Sequence, residues 1–200
     1  MRTMLLALLL PAAAAQVTMV HCASTVGDFH IKLERSYSPK GVDRFIELVD
    51  DGFFSDMLLY RVIPGFLIQF GVAAMPAMTR KWTQGKRIED ETNQVKFRKG
   101  TVSFAGNGKD SRDCHLFVAL EPNGASLGGA PHEATLGHVV EPEVFEKVAS
   151  NFQATGYPDT GSLQGSLVQK GNEAAAKYPK LDRIIRCDVM RQPVAASSEL

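Results

Sequence analysis

Short apolar runs, separated by Gly, Pro and polar residues, dominate this chain of 200 residues. Apolar character over residues 16–22 and 29–33 flanks Ser24-Thr25-Val26-Gly27-Asp28 and predicts an N-terminal β-hairpin. Ser38-Pro39 then opens a helix, with Ser38 as its cap and Pro39 in its first turn, where a missing N–H costs nothing. Val42, Phe45, Ile46, Val49 and Phe53 recur at helical spacing as one inward stripe, with Gly52 near the stop. Strands are predicted over residues 58–63, 66–72, 100–105, 115–120, 136–140 and 181–189. Residues 73–87 break the pattern and predict a surface loop, as do the polar stretches 106–113 and 121–133. Glu141-Pro142 starts a second short helix through Val144, Phe145 and Val148. Residues 161–178 permit a helix, with Gly165 and Gly171 against it. Many strands, two helices and no repeated βαβ unit or internal repeat imply a closed barrel or a sandwich.

Within this pattern Tyr60-Arg61-Val62-Ile63-Pro64-Gly65-Phe66-Leu67-Ile68-Gln69 stands out. Proline presets the first corner of a type II turn and glycine takes the positive φ at the second, so the segment predicts strand, tight turn, strand. A guanidinium buried among such residues without a partner costs several kcal/mol. Arg61 therefore pairs with a carboxylate such as Asp56 or Glu91, or faces a cleft where a ligand supplies the acceptor.

Composition narrows the function classes. Lys and Arg number 22, as do Asp and Glu, so no face needs to be basic and nucleic acid is not an expected partner. Residues 1–15 combine Arg2, a short apolar core over 4–10 and Pro11-Ala12-Ala13-Ala14-Ala15, the pattern of a cleaved secretory signal peptide. The apolar run is short for a membrane anchor, so no stable membrane insertion is expected after cleavage. The expected organisation is a leader over 1–15, one domain over 16–191 and a disordered polar tail over 192–200. The expected location is the ER lumen or outside the cell, with an algal plastid route through a bipartite leader as the alternative. Cys22, Cys114 and Cys187 form no C-x-x-C, and His132-Glu133 with His138 lacks H-E-x-x-H spacing, so neither a metal nor a cofactor is expected. Cys114-His115 would sit on a strand with side chains on opposite faces, which argues against a nucleophile–base pair.

Taken together, the motifs resemble those of the cyclophilins, a family of peptidyl-prolyl cis/trans isomerases. Arg61-Val62-Ile63-Pro64-Gly65-Phe66 with Gln69 resembles that family's signature, and Gly52-Phe53-Phe54 the end of its first helix. Ile88-Glu89-Asp90-Glu91, Gly100-Thr101-Val102-Ser103-Phe104-Ala105, Leu116-Phe117-Val118 and Gly137-His138-Val139-Val140 follow in the family's order. The resemblance covers roughly residues 17–189. It implies a mainly β fold, an eight-stranded antiparallel β-barrel closed by two α-helices, with a ligand groove on the outer wall. It assigns the family's active-site arginine to Arg61 and its glutamine to Gln69. The proline socket falls on Phe66, Leu67 and Phe117, with Ala105, His115, Leu127 and His132 lining the groove. The chain departs from the family at His115-Leu116-Phe117 and at Ser126, where an aromatic is usual, and its 121–133 loop is longer. In such a barrel Cys22 and Cys187 lie on paired first and last strands, where a disulfide and two buried thiols both fit.

The resemblance implies a monomer that rotates X-Pro bonds in client proteins, or alternatively a barrel that grips proline segments with little turnover. The chemistry suits the residues. Rotation breaks amide resonance, whose barrier is about 18–20 kcal/mol, and returns a lone pair to the prolyl nitrogen. A donor aimed at that nitrogen binds the twisted state more strongly than the planar one. Arg61, always charged, is such a donor.

Overall fold

The computed structural model describes residues 17–121, 126–154 and 161–191. The leader expected over 1–15 and the tail expected over 192–200 lie outside these residues. The elements run β1 (Val17–Ser24), β2 (Phe29–Glu34), α1 (Pro39–Asp50), β3 (Met57–Leu58), β4 (Arg61–Ile63), β5 (Leu67–Phe70) and α2 (Pro76–Thr83). Then follow β6 (Thr101–Phe104), β7 (Leu116–Ala119), β8 (Thr135–Val139), α3 (Glu143–Ala154), α4 (Gly161–Lys170), a 3-10 turn (Gly171–Ala175) and β9 (Arg183–Val189).

All strand pairs are antiparallel, in the order β3-β9-β1-β2-β8-β6-β7-β5-β4. The two edge strands, β3 and β4, are consecutive pieces of one segment interrupted at Leu59-Tyr60, so the sheet curls until its edges meet through the chain itself. At the break, the Leu59 N–H donates to the Asp182 carbonyl at 2.9 Å. The count among the described residues is therefore nine strands rather than eight, because the strand expected over 58–63 pairs with β9 at one end and β5 at the other. Inward-facing Val20, Ile31, Leu33, Val62, Ile68, Phe70, Val102, Phe104 and Val118 form the main core with Val42, Phe45 and Leu48 of α1 and Val144, Phe145 and Val148 of α3.

Four α-helices, rather than two, occur among the described residues. The loop expected over 73–87 contains α2. It buries only Thr79 and Trp82, too few positions to show a period, and tertiary contacts hold it. Trp82 Nε1 donates to Asp51 at 2.7 Å, and the Arg44 guanidinium lies 5.2 Å from the centre of the indole. In the glycine-containing stretch after residue 160, α4 forms because Leu163 and Leu167 bury against Leu58, Tyr60, Val72 and Leu181 in a second cluster. Propensity yields there to packing.

The cap of α1 also differs from expectation. Ser38 stands at the N-cap but its hydroxyl makes no cap bond; it donates instead to Glu91. The Glu91 carboxylate takes over, accepting from the N–H groups of Lys40 at 2.8 Å and Gly41 at 3.0 Å. The same carboxylate pairs with the fully buried Arg112 at 3.0 Å. Burial pushes the Glu91 carboxyl up, but the Ser38, Lys40, Gly41 and Arg112 hydrogen bonds outweigh it and hold the group below the usual carboxylate range. Cys22 and Cys187 face each other across β1 and β9 and are joined by a disulfide, which settles the alternative left by the sequence. Cys114 is free and buried.

Candidate active site

The groove is built on the outward faces of four neighbouring strands. The Pro64-Gly65 turn closes with the Phe66 N–H donating to the Ile63 carbonyl at 3.0 Å, and Gly65 takes φ 70°. That turn sets the β4–β5 register, which places Arg61 opposite Gln69, Val62 opposite Ile68 and Ile63 opposite Leu67. On the next strand Phe117 lies opposite Gln69 and Ala119 opposite Leu67. Side chains alternate along a strand, so Arg61, Leu67, Gln69, Phe117 and Ala119 share the outer wall while Ile68, Leu116 and Val118 fill the core.

This wall has an apolar patch of its own. Leu67, Phe97, Phe117 and Ala119 form a buried cluster with Phe66, Ala105 and Leu127 packed against it. Phe97 supports the socket, its ring centre 6.1 Å from that of Phe117. Beside the socket, Arg61 Nη1 donates to Gln69 Oε1 at 2.8 Å. The carboxylates the sequence offered to Arg61 are taken elsewhere: Asp56 pairs with Arg183 at 2.8 Å and Glu91 with Arg112. Arg61 is thus held in place by a neutral amide, with its positive charge uncompensated by any ion pair among the described residues.

Arg61, Phe66, Leu67, Gln69, Ala105, His115, Phe117, Leu127 and His132, the nine residues named from the sequence, all line one cavity of about 540 Å³. The sequence missed Arg87, Gly106, Asn107, Ser111, Asp113 and Gln164, which line it too, as does Glu133, the position beside His132 near which the family's groove histidine was expected. Asp113 carried a signal, a carboxylate two residues before a histidine. It accepts from the His115 ring Nδ1 at 2.7 Å and from the N–H groups of Cys114 at 2.5 Å and His115 at 3.1 Å. Burial raises its pKa, but the His115 ring and the two N–H groups reverse that and leave it lowered. Glu133 organises the 128–133 loop by accepting from the N–H groups of Gly128 at 2.8 Å and Ala130 at 3.2 Å. Gly106 is required where the His132 ring lies: a Cβ at position 106 would approach that ring to 2.7 Å. Arg87 and Gln164 gave no signal, one lying in an expected loop and the other on a helix whose glycines disguised it.

Cys114 and His115 diverge as their adjacency implied. The Cys114 thiol belongs to the core and donates to the Gly71 carbonyl, whereas His115 lines the groove. Asp113, Cys114 and His115 do bring one donor atom each within 4.8 Å of one another. Their own hydrogen bonds already engage them, and burial, reinforced by the Asp113 charge, keeps the thiol protonated. The arrangement is that of a histidine oriented by a carboxylate. The groove thus offers a charged donor, an amide and an apolar socket.

The family model for the cyclophilin type peptidyl-prolyl cis-trans isomerases matches residues 18–162. The chain belongs to this family. It is 30% identical over 142 residues to a peptidyl-prolyl cis-trans isomerase A of Dickeya dadantii, covering 68% of this chain and 74% of that protein. It is also 30% identical over 125 residues to a peptidyl-prolyl cis-trans isomerase-like 2 of Aspergillus oryzae, covering 60% of this chain but only 21% of that longer protein. Among solved structures, a cyclophilin type peptidyl-prolyl cis-trans isomerase of Cryptosporidium parvum superposes with a TM-score of 0.63 at 21% identity, over 89% of this chain and 100% of the other. The same Cryptosporidium parvum protein in the presence of the dipeptide Ala-Pro gives 0.62. At that identity the likeness speaks for the fold.

Proposed function

We propose that the groove binds proline-containing segments of client proteins and accelerates rotation about X-Pro bonds. The observation that carries this reading is Arg61, fixed by Gln69 at 2.8 Å beside the Phe66–Leu67–Phe117 socket and paired with no carboxylate among the described residues. The prolyl ring fills the socket, and a guanidinium N–H donates to the prolyl nitrogen as it becomes pyramidal. That bond exists only in the twisted state, so it lowers the barrier rather than merely tightening binding. A hundred-thousand-fold acceleration requires about 7 kcal/mol. One charge-assisted hydrogen bond contributes roughly 1.5–3 kcal/mol, so seating in the socket must supply much of the rest. No proton transfer, nucleophile or metal takes part in this scheme.

Isomerisation of a proline-containing peptide by the mature chain and by Arg61→Ala tests the reading. Turnover that falls with Arg61→Ala supports it; equal rates in the two forms sink the assigned mechanism. A specific observation favours a second reading, a barrel that binds without appreciable turnover: the residue before Leu127 is the small, exposed Ser126, where the family usually has an aromatic. Retained peptide binding with no rate above background selects it.

We further propose that the chain works as a monomer in the secretory pathway. The leader-like pattern over 1–15 supports this location, as does the Cys22–Cys187 disulfide, since such bonds persist in oxidising compartments. Mass spectrometry of protein purified from its natural source is expected to find a mature N-terminus near Ala15 and a bonded Cys22–Cys187 pair. An intact Met1 with both thiols free counts against the location.

A further inference from the structure

We infer that His21 and His30 form a surface chelate for a divalent transition cation, with Zn²⁺ as the expected occupant, which clamps β1 to β2. The two histidines match no ligand motif along the sequence; the strand register makes the pair. β1 and β2 run antiparallel with His21 directly opposite His30. Both alternate with core residues, Val20 and Cys22 on one strand and Phe29 and Ile31 on the other, so both rings stand on the outer face. Their side chains are 29% and 33% exposed, which lets a cation enter. The ring centres lie 5.2 Å apart. A cation about 2.0–2.1 Å from one nitrogen of each ring, with its two bonds at the tetrahedral angle, also sets the ring centres about 5 Å apart.

Each ring is held by a carboxylate, as metal-binding imidazoles are. His21 Nε2 bonds Asp28 at 2.9 Å and His30 Nδ1 bonds Glu141 at 3.1 Å. An ionised carboxylate only accepts, so the bonded nitrogen of each ring carries the hydrogen. In the neutral ring that leaves a lone pair on His21 Nδ1 and on His30 Nε2. Such carboxylate–histidine pairs fix the tautomer and raise the basicity of the ligating nitrogen. Glu141 is itself fixed, its second oxygen accepting from the His30 N–H at 2.7 Å. Neighbouring cations are occupied: Arg186 pairs with Asp188 at 3.2 Å and Lys32 with Glu34 at 2.9 Å. The charge left beside the rings is that of Asp28 and Glu141, which favours a cation. Imidazoles suit Zn²⁺, Ni²⁺ and Cu²⁺, whereas Mg²⁺ and Ca²⁺ take oxygen ligands. Water completes the coordination. Neither histidine lines the groove, so the cation acts on stability and leaves turnover alone.

The test titrates Zn²⁺ by calorimetry into the purified chain, free of any affinity tag. Binding of one cation per chain is expected, with Cu²⁺ competing more strongly than Ni²⁺ and Mg²⁺ not competing. Losing a ligand costs no less than losing the carboxylate behind it, so His21→Gln and His30→Gln are each expected to weaken Zn²⁺ binding at least tenfold, the low end of the roughly 10–100-fold range for such carboxylates. His115→Gln is expected to leave it unchanged, which separates this site from the Asp113–His115 pair of the groove. Saturating Zn²⁺ is expected to raise the thermal midpoint of the parent chain but not that of His21→Gln. Both histidines are partly exposed, so the variants are expected to fold, which circular dichroism checks. No Zn²⁺ binding, binding that survives in both variants, or binding lost in His115→Gln overturns the inference. So does a Zn²⁺-linked dimer that forms with either histidine alone, because each ring would then be a ligand between copies rather than half of a chelate.

Discussion

Two arginines in this fold carry the same charge and are handled in opposite ways. Arg112 is fully buried, pairs with Glu91 at 3.0 Å and donates to the Ser38 hydroxyl at 3.3 Å and the Glu89 carbonyl. Its charge is spent inside the protein, tying the N-terminus of α1 to the 88–91 segment. Arg61 is only half-buried, and its one hydrogen-bond partner among the described residues is the amide of Gln69. A neutral partner orients a guanidinium without cancelling its field. The first arginine holds the barrel together; the second is available to a ligand. Burial alone therefore does not separate a charge spent within the fold from one left open to a ligand, whereas the identity of the partner does.

The largest effect that can break this comparison comes from Arg112→Leu. It strands the Glu91 carboxylate and is expected to cost about 3–5 kcal/mol of stability, the usual result of removing one member of a buried pair. Urea unfolding followed by circular dichroism reads it. The double variant Arg112→Leu with Glu91→Gln is expected to lose less, since no lone charge remains; a larger loss would mean that Glu91 matters chiefly as the cap of α1. Next in size, Arg61→Ala is expected to lower kcat/KM about ten- to hundredfold, as the loss of one charge-assisted hydrogen bond requires. Its urea midpoint is expected to move far less than that of Arg112→Leu. Global unfolding by Arg61→Ala would erase the distinction between the two arginines.

The smallest effect sharpens the comparison with a third basic group. His138 on β8 is discharged rather than paired: burial first, and then the nearby Arg98, pull its pKa down to about 4. Between its ordinary value of 6.5 and about 4 the unfolded chain binds a proton that the folded chain does not. Stability therefore falls as pH drops through that window and does not respond to this group above it. The loss is expected to be on the order of 1 kcal/mol, since solvent screens a half-buried site. His138→Gln should flatten the urea midpoint between pH 6.5 and 5. The lowered carboxyls of Glu91 and Asp113 act in a lower window, where their stabilisation is lost as pH falls through their folded pKa values.

Much of this was legible in the residues. The Pro64-Gly65 turn fixes a two-strand register by local geometry, and register decides that Arg61 meets Gln69. The socket residues Phe66, Leu67 and Phe117 came through the family resemblance, and the β5–β7 pairing puts Leu67 and Phe117 on the same outer wall. Illegible were the features that depend on contacts between distant segments. Glu91 caps α1 across about fifty residues, so Ser38 drew the credit that local capping rules give it. For α2, local pattern offered only two buried positions, and Asp51 and Arg44 on another element complete its support. Gln164 reaches the groove because α4 docks on Leu58 and Tyr60, which its own sequence does not announce.

By itself, then, the sequence determined where most strands fall along the chain, the first and third helices and the Pro64-Gly65 turn, because each rests on neighbours within a few residues or on strand alternation, while the socket residues came through the family resemblance. Only the tertiary structure decided which carboxylates Arg61 does not meet, that Cys22 and Cys187 are joined, and that Arg87 and Gln164 belong to the groove. Those outcomes are contests between partners far apart in the chain, and which partner wins depends on where the curled sheet brings them.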